Sequence, residues 1–182
     1  GAYFPFFSPD AQWIAFFVGG ELKRVAVGGG TPITIAGDIK LPTGAAWTPS
    51  NRILVMADES NAVEWIAAFD GARTPIPNDC TGGDACHMLD LDVLPGEDWA
   101  VGSSAGFLQL LSLTDGAMYA ITRGGPVRLR DAEPGSVLRG WSPRYLPSGH
   151  LAFMSGPGAD LQVMPFDVAS RRPTRRASSI AI

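Results

Sequence analysis

A proline recurs along this chain at Pro9, Pro49, Pro95 and Pro147, each time in the same local setting. The segments "FFSPDAQWIAFF", "AAWTPSNRILVM", "LDVLPGEDWAVG" and "PRYLPSGHLAFM" all place it after a short apolar stretch. A new apolar run begins four residues later, at Trp13, Ile53, Trp99 and Leu151. The prolines lie 40, 46 and 52 residues apart, a period at which repeat proteins build one supersecondary unit per repeat. After a polar or glycine-rich break each repeat continues with a second apolar stretch: "ELKRVAV", "AVEWIAAF", "GFLQLLSL" or "DLQVMPFDV". A turn follows ("GGG", "DG", "TDG", "ASR"), and then a short segment such as "TPITIA", "RTPIPN" or "AMYAIT". With 22 Gly and 15 Pro the chain is punctuated too densely for helices, so each repeat predicts about four strands.

Antiparallel four-stranded sheets repeating at this period predict an all-β fold, a β-propeller of four-stranded blades with four blades visible. The repeats cover approximately residues 3–41, 43–79, 87–125 and 138–177, within a single propeller domain or propeller fragment spanning 1–182. A blade has two apolar faces and buries them only against neighbouring blades. The proline turn is expected to reverse the chain between the innermost and second strands. Phe6, Phe7, Trp13, Phe16 and Phe17 are expected to fill the space between sheets, at roughly 1.5–3 kcal/mol for each fully buried side chain. In "ELKRVAV", Leu22, Val25 and Val27 share a buried side only if a bulge shifts the register once.

Composition narrows the function classes. The chain has 182 residues, 46% hydrophobic and 18% charged, which is a globular rather than a disordered composition. A formal charge of −4 without a block of one sign argues against a nucleic-acid surface. The one basic cluster, "SRRPTRR" from Ser170 to Arg176, reads as a solvated edge strand or linker, because Pro173 interrupts it and no aromatic residue is interleaved for base stacking. No apolar run reaches the roughly 20 residues that span a bilayer. Gly1 reads as a processing or fragment boundary.

Few residues carry chemistry. Cys80 and Cys86, in "DCTGGDACHM", predict a local disulfide in an oxidising compartment, since two intervening glycines let the loop turn back and a zinc site would need more ligands than His87. So short a loop stabilises by no more than about 2 kcal/mol. Asp79, Asp84, Asp90 and Asp92 surround His87 and could offer oxygens to a hard cation, but the closing Glu of a calcium loop is missing. The stretch therefore reads as an acidic connection, and no metal or cofactor is expected. His150 falls at a slot filled elsewhere by Gln12, Arg52 and Asp98, and so reads as a surface turn residue. "VGGGTP" lacks the Lys-Ser/Thr ending of a phosphate-binding loop and reads as a β-turn. No Gly-x-Ser-x-Gly elbow occurs. Trp13, Trp47, Trp65 and Trp99 fall in or beside strand segments, as core between blades. Trp141, in "LRGWSPRY", is the best exposed aromatic candidate, and Arg139 and Arg144 beside it complete a candidate ligand-binding set.

"PFFSPDAQWIAFFVGGELKRVAVGGGTPITIAG", "GAAWTPSNRILVMA" and "PRYLPSGHLAFMSGPGADLQVMPFDV" resemble the WD40-like repeats with a Ser-Pro-Asp-Gly turn found in TolB-like propellers. They look most like the propeller regions that follow the catalytic domain of some bacterial serine/threonine kinases. The third repeat departs, with Pro95-Gly96 in place of Pro-Asp. The resemblance implies six or more blades in a closed ring. Three arrangements stay open: a minimal four-bladed ring, an excerpt of a larger propeller, or two chains completing one ring. "RASSIAI" at the C-terminus is expected either to complete the first blade or to begin a further one.

The leading functional expectation is a non-enzymatic binding or scaffold module that recognises a protein or small ligand through its loops. A propeller-fold enzyme, a lyase or glycosidase, is the second reading, although the chain is poor in the His, Glu and Tyr such a site needs. A structural subunit that self-assembles through open edges, as a homo-oligomer completing the ring, is the third. The possible disulfide and the family likeness point to an extracytoplasmic location.

Overall fold

The computed structural model describes residues 1–57, 62–77, 88–133 and 135–180. It is all-β. Among the described residues the one helical turn is a short 3-10 piece, Leu129–Asp131. The strands form four antiparallel sheets that follow one another along the chain, the four blades of a β-propeller. Blade one holds β1 (Tyr3–Phe7), β2 (Trp13–Val18), β3 (Glu21–Ala26) and β4 (Ile33–Ala36). Blade two holds β5 (Pro42–Trp47), β6 (Arg52–Ala57), β7 (Ala62–Ala67) and β8 (Arg73–Ile76). Blade three holds β9 (Leu89–Val93), β10 (Trp99–Ser104), β11 (Phe107–Ser112), β12 (Met118–Thr122) and β13 (Gly125–Arg128). Blade four holds β14 (Trp141–Leu146), β15 (His150–Ser155) and β16 (Asp160–Asp167), with β17 (Arg172–Pro173) and β18 (Ser178–Ser179) both along the outer side of β16.

The chain divides into two compact units, Gly1–Pro77 with blades one and two, and Asn78–Ile182 with blades three and four. In the first unit, Phe17, Leu22, Trp47, Ile53, Val55 and Ile66 from both blades meet in one core. In the second, Val101, Leu108, Leu110, Leu151, Phe153 and Met164 do the same. Middle strands β6, β10 and β11 are buried on both faces, as strands of a sheet covered on both sides. Ile53, Leu54 and Val55 of β6 are all fully buried.

The proline turn is built by its neighbours. In blade one the Ser8 N–H donates to the Trp13 carbonyl (2.9 Å), and the Ser8 hydroxyl accepts the Trp13 N–H (2.9 Å) while donating to Asp10 Oδ1 (2.6 Å). Asp10 also accepts the Gln12 N–H at 3.0 Å. The residue two after each proline has positive φ: Ala11 at 55°, Asn51 at 59°, Glu97 at 59° and Gly149 at 80°. Its N–H donates to the carbonyl of the residue before the proline, as Ala11 does to Ser8, Asn51 to Thr48, Glu97 to Leu94 and Gly149 to Leu146. The divergent third repeat therefore makes the same reversal. Leu94 simply trades the capping hydroxyl for a place in the core.

Four expectations need correction. Phe17 is fully buried and Phe6 packs on the core, but Phe7, one residue on, is 61% exposed, because successive side chains of β1 face opposite ways. The β3–β4 pairing does shift register once, between Leu22 and Lys23, but the extra residue is Ile35 on β4. Along β3 the alternation runs unbroken, so Leu22 and Arg24 are buried, Val25 is half-buried and Val27, just past the strand, is exposed. Arg24 is tolerated there because one guanidinium nitrogen donates to the Ala68 carbonyl (3.0 Å) and the group lies 4.6 Å from the Trp13 ring and 4.0 Å from that of Phe69. Blade three carries a fifth strand, β13, added by a two-residue turn at Arg123-Gly124. Finally, the described part of "RASSIAI" pairs within blade four. Ser178 and Ser179 pair with Val163 and Gln162, finishing the outer strand of blade four.

Candidate functional site

The second unit holds an open cleft of about 420 Å³ between blades three and four. Three segments build it. The first is the β12–β13 turn, where the buried Thr122 hydroxyl donates to the Gly125 carbonyl (2.7 Å) and accepts the Gly124 N–H (3.2 Å), leaving Arg123 exposed at the apex. The second is the connection to blade four, pinned across blade three by hydrogen bonds. Leu108 N–H donates to Leu138 O (2.9 Å), Leu138 N–H to Ile121 O (2.8 Å) and Gly140 N–H to Gly106 O (3.0 Å). Between these anchors Arg139 lies with its guanidinium 4.9 Å from the centre of the Phe107 ring, and its carbonyl accepts the Ser155 hydroxyl.

The third segment is the broken outer strand of blade four. From Phe166↔Pro173 to Val163↔Ser178 the outer chain takes five steps against three on β16. The surplus residues bulge out of the ladder, and Pro173 has no N–H with which to continue it. Arg175 and Arg176 ride on this bulge, both exposed. The floor is apolar: Leu138, Phe153 and Met164, the last two nearly fully buried. Ser155, Gln162 and Thr174 add neutral hydrogen-bonding groups. A second recess of about 580 Å³ shares Arg123, Leu138 and Arg139 and runs along Gly135–Val137.

No protein-family model matches the chain, and no curated protein matches it. Solved structures do. The β-propeller domain of Cps50 (Swd1) from Myceliophteria thermophila aligns over 99% of this chain and 56% of its own, with a TM-score of 0.64 at 15% identity. Virginiamycin B lyase from Staphylococcus aureus aligns over 100% and 55%, TM-score 0.59, at 12% identity. TolB from Acinetobacter baumannii aligns over 100% and 43%, TM-score 0.63, at 16% identity. The likeness shows a β-propeller fold. The propeller chain spans about half the length of the solved structures it matches.

Of the candidate ligand-binding set Trp141, Arg139 and Arg144 in this propeller, only Arg139 lines the cleft. Trp141 opens β14 and is 38% exposed. Arg144 is turned toward β9, where one guanidinium nitrogen donates to the Asp90 carbonyl (2.7 Å) and to its own neighbour Pro143 (2.9 Å). The same seam occupies Asp90 and Asp92, two of the four acidic residues around His87. Asp90 accepts the Ser142 hydroxyl (2.8 Å), and Asp92 accepts the N–H groups of Tyr145 (2.7 Å) and Val93 (3.1 Å). Burial pushes the Asp92 carboxyl above its ordinary value, against the pull of those donors and of the Arg144 charge. These carboxylates tie the inner strands of blades three and four together.

Among the described residues, no group of three or more His, Cys, Asp or Glu side chains is arranged to hold a metal ion. His150 is not a turn residue but opens β15, paired with Leu146, with Nδ1 2.9 Å from the Ser148 carbonyl. Cys80, Cys86, His87, Asp79 and Asp84 lie outside the described residues. Reading the sequence missed Arg123, Arg175 and Arg176 as partners of Arg139. The visible signals were "SRRPTRR" and the turn-forming "TRGG", but only the fold brings them to one cavity.

Proposed function

We propose that this chain is a non-catalytic recognition module and that the cleft between blades three and four receives a small ligand. The observation that carries the reading is the cleft's make-up: an open recess of about 420 Å³ with an apolar floor and a polar rim, the size and character of a small-molecule site. Its rim is assembled from a turn, a connection and a strand bulge, the parts of a propeller that vary without disturbing the blades. An extracytoplasmic location goes with this reading, supported by the cysteine pair Cys80 and Cys86 and by the likeness to TolB. A ligand-observed NMR screen of small fragments tests the recognition role, run on the wild type and on Ala177→Trp. Ala177 is exposed on the rim, so the indole fills the cleft without entering the core. Fragments that bind the wild type and are displaced in the variant are expected. Fragments that bind both proteins alike, or neither, overturn the assignment of the cleft.

A further inference from the structure

We propose that the cleft selects a small oxyanion, a phosphate monoester or carboxylate, attached to an apolar body; this rests on the cleft being the recognition site. Four arginines, Arg123, Arg139, Arg175 and Arg176, line one cavity, and among the described residues no Asp or Glu lines it with them. Nor does an acidic side chain line the adjoining recess, among the described residues. Of the carboxylates nearby in sequence, Asp131 pairs with Arg130, Asp115 with Arg128, and Asp167 with the Ser170 hydroxyl and the Ala169 N–H, and neither Glu133 nor Asp160 lines the cleft. In a chain with more acidic than basic residues overall, four arginines thus gather around one cavity with no acidic side chain lining it among the described residues. Like charges held around one recess repel, and an anion placed among them removes that repulsion while gaining charge-assisted hydrogen bonds.

Arginine suits this task better than lysine, since its planar fork matches the two oxygens of a carboxylate or phosphate. Arg139 is already held in place, stacked on Phe107 with its backbone locked on both sides, so less ordering is lost when it binds. The rest of the ligand follows from the floor. Leu138, Phe153 and Met164 offer an apolar surface with no charge, so a bare inorganic ion would leave it unused. The volume caps the ligand at small-molecule size, and the short arginine rim has no row of exposed aromatics for successive bases, which separates the site from a nucleic-acid track.

Calorimetric titration with three probes tests the inference: phenyl phosphate, inorganic phosphate and phenol. Phenyl phosphate is expected to bind about tenfold more tightly than either of the others, with affinity falling as sodium chloride is added. The double variant Arg175→Ala/Arg176→Ala is expected to lose about tenfold in phenyl phosphate affinity, both side chains being exposed and so removable without harm to the fold. Arg130→Ala, a control on an exposed arginine outside the cleft, is expected to change nothing. If phenol binds as well as phenyl phosphate and Ala177→Trp abolishes both, the cleft is a ligand site but the anion assignment is wrong. If inorganic phosphate binds as well as phenyl phosphate, the apolar half of the proposal fails. If no probe binds and fragments also fail, the recognition site itself is misplaced.

Discussion

At the scale of single residues, the four proline turns ask the same backbone conformation of different side chains. Position two after the proline is left-handed in every blade, yet only blade four supplies glycine there. A non-glycine residue in that conformation costs roughly 1–2 kcal/mol, partly offset by the greater freedom glycine gives the unfolded chain. Ala11→Gly is therefore expected to stabilise the protein by up to about 1 kcal/mol, and Gly149→Ala to destabilise it by a similar amount. Urea unfolding of both variants checks this, and a loss of stability in Ala11→Gly would show that the turn is not strained at that residue. Asp92 permits a second test, through pH. Its folded carboxyl titrates above the ordinary aspartate value of 3.8 because of burial, so the folded state takes up the proton more readily than the unfolded one. The charged form is thus a burden on the fold that is fully present above the raised value and relieved as pH falls toward 3.8. Wild-type stability minus that of Asp92→Asn is expected to rise on acidification through that window and to be flat above it. Asp10, Glu21, Asp115 and Asp167 are held below their ordinary values by side-chain hydrogen bonds with Ser8, Lys23, Ser112 and Ser170. Their own loss of stability in acid is common to both proteins and cancels. A difference that falls on acidification would contradict the assignment.

At the scale of elements, the connection before blade four has the most demanding geometry. A Cβ on Gly140 would lie 2.6 Å from Phe153 Cδ2 and 3.1 Å from the Met154 carbonyl, and one of these is backbone that cannot step aside. Gly140→Ala is expected to cost about 1–3 kcal/mol by overpacking, and to weaken any cleft ligand, because Arg139 and Phe153 flank the displaced backbone. Gly28→Ala, with nothing within 4 Å of the added methyl, serves as the comparison and is expected to leave both stability and binding near wild type. Thermal melts and probe titrations of the two variants decide it, and equal behaviour would mean the close approach at Gly140 is relaxed in solution. Elements of this kind explain which parts of the fold could be read in advance. Strands β2, β6, β10 and β15 begin three or four residues after the prolines, and β2 and β6 carry long apolar runs, so the repeat marks their positions. β13, "GPVR", is four residues with a proline and a glycine and carries no strand signal; only its pairing with β12 makes it one. β17 and β18 are two residues each and exist because β16 extends far enough to hold both.

At the scale of the molecule, the repeat made the architecture legible because each blade must obey the same local rules, and four divergent copies agree better than any one is informative. The cleft was not legible, since its arginines at 123, 139, 175 and 176 come from three separate segments. Local patterning records which side of a strand is buried, but it carries no record of which exposed turns end up facing each other. Arg24 marks the same limit within one strand, where a charged residue takes an inward position because the aromatic rings of Trp13 and Phe69 lie against it. The division into two compact units, each with its own core, has a consequence for stability. In repeat architectures the energy is a sum of blade terms and nearest-neighbour interfaces, so damage is felt first where it is made. Phe17 and Leu110 are both fully buried, one in each core. Phe17→Ala is expected to cost about 3–5 kcal/mol and Leu110→Ala about 2–5 kcal/mol. Under native conditions, amide hydrogen exchange is expected to quicken in β2, β3 and β6 for Phe17→Ala while β10, β11 and β15 keep most of their protection, and the reverse for Leu110→Ala. Uniform loss of protection over both units in either variant would mean that the four blades unfold as one cooperative body.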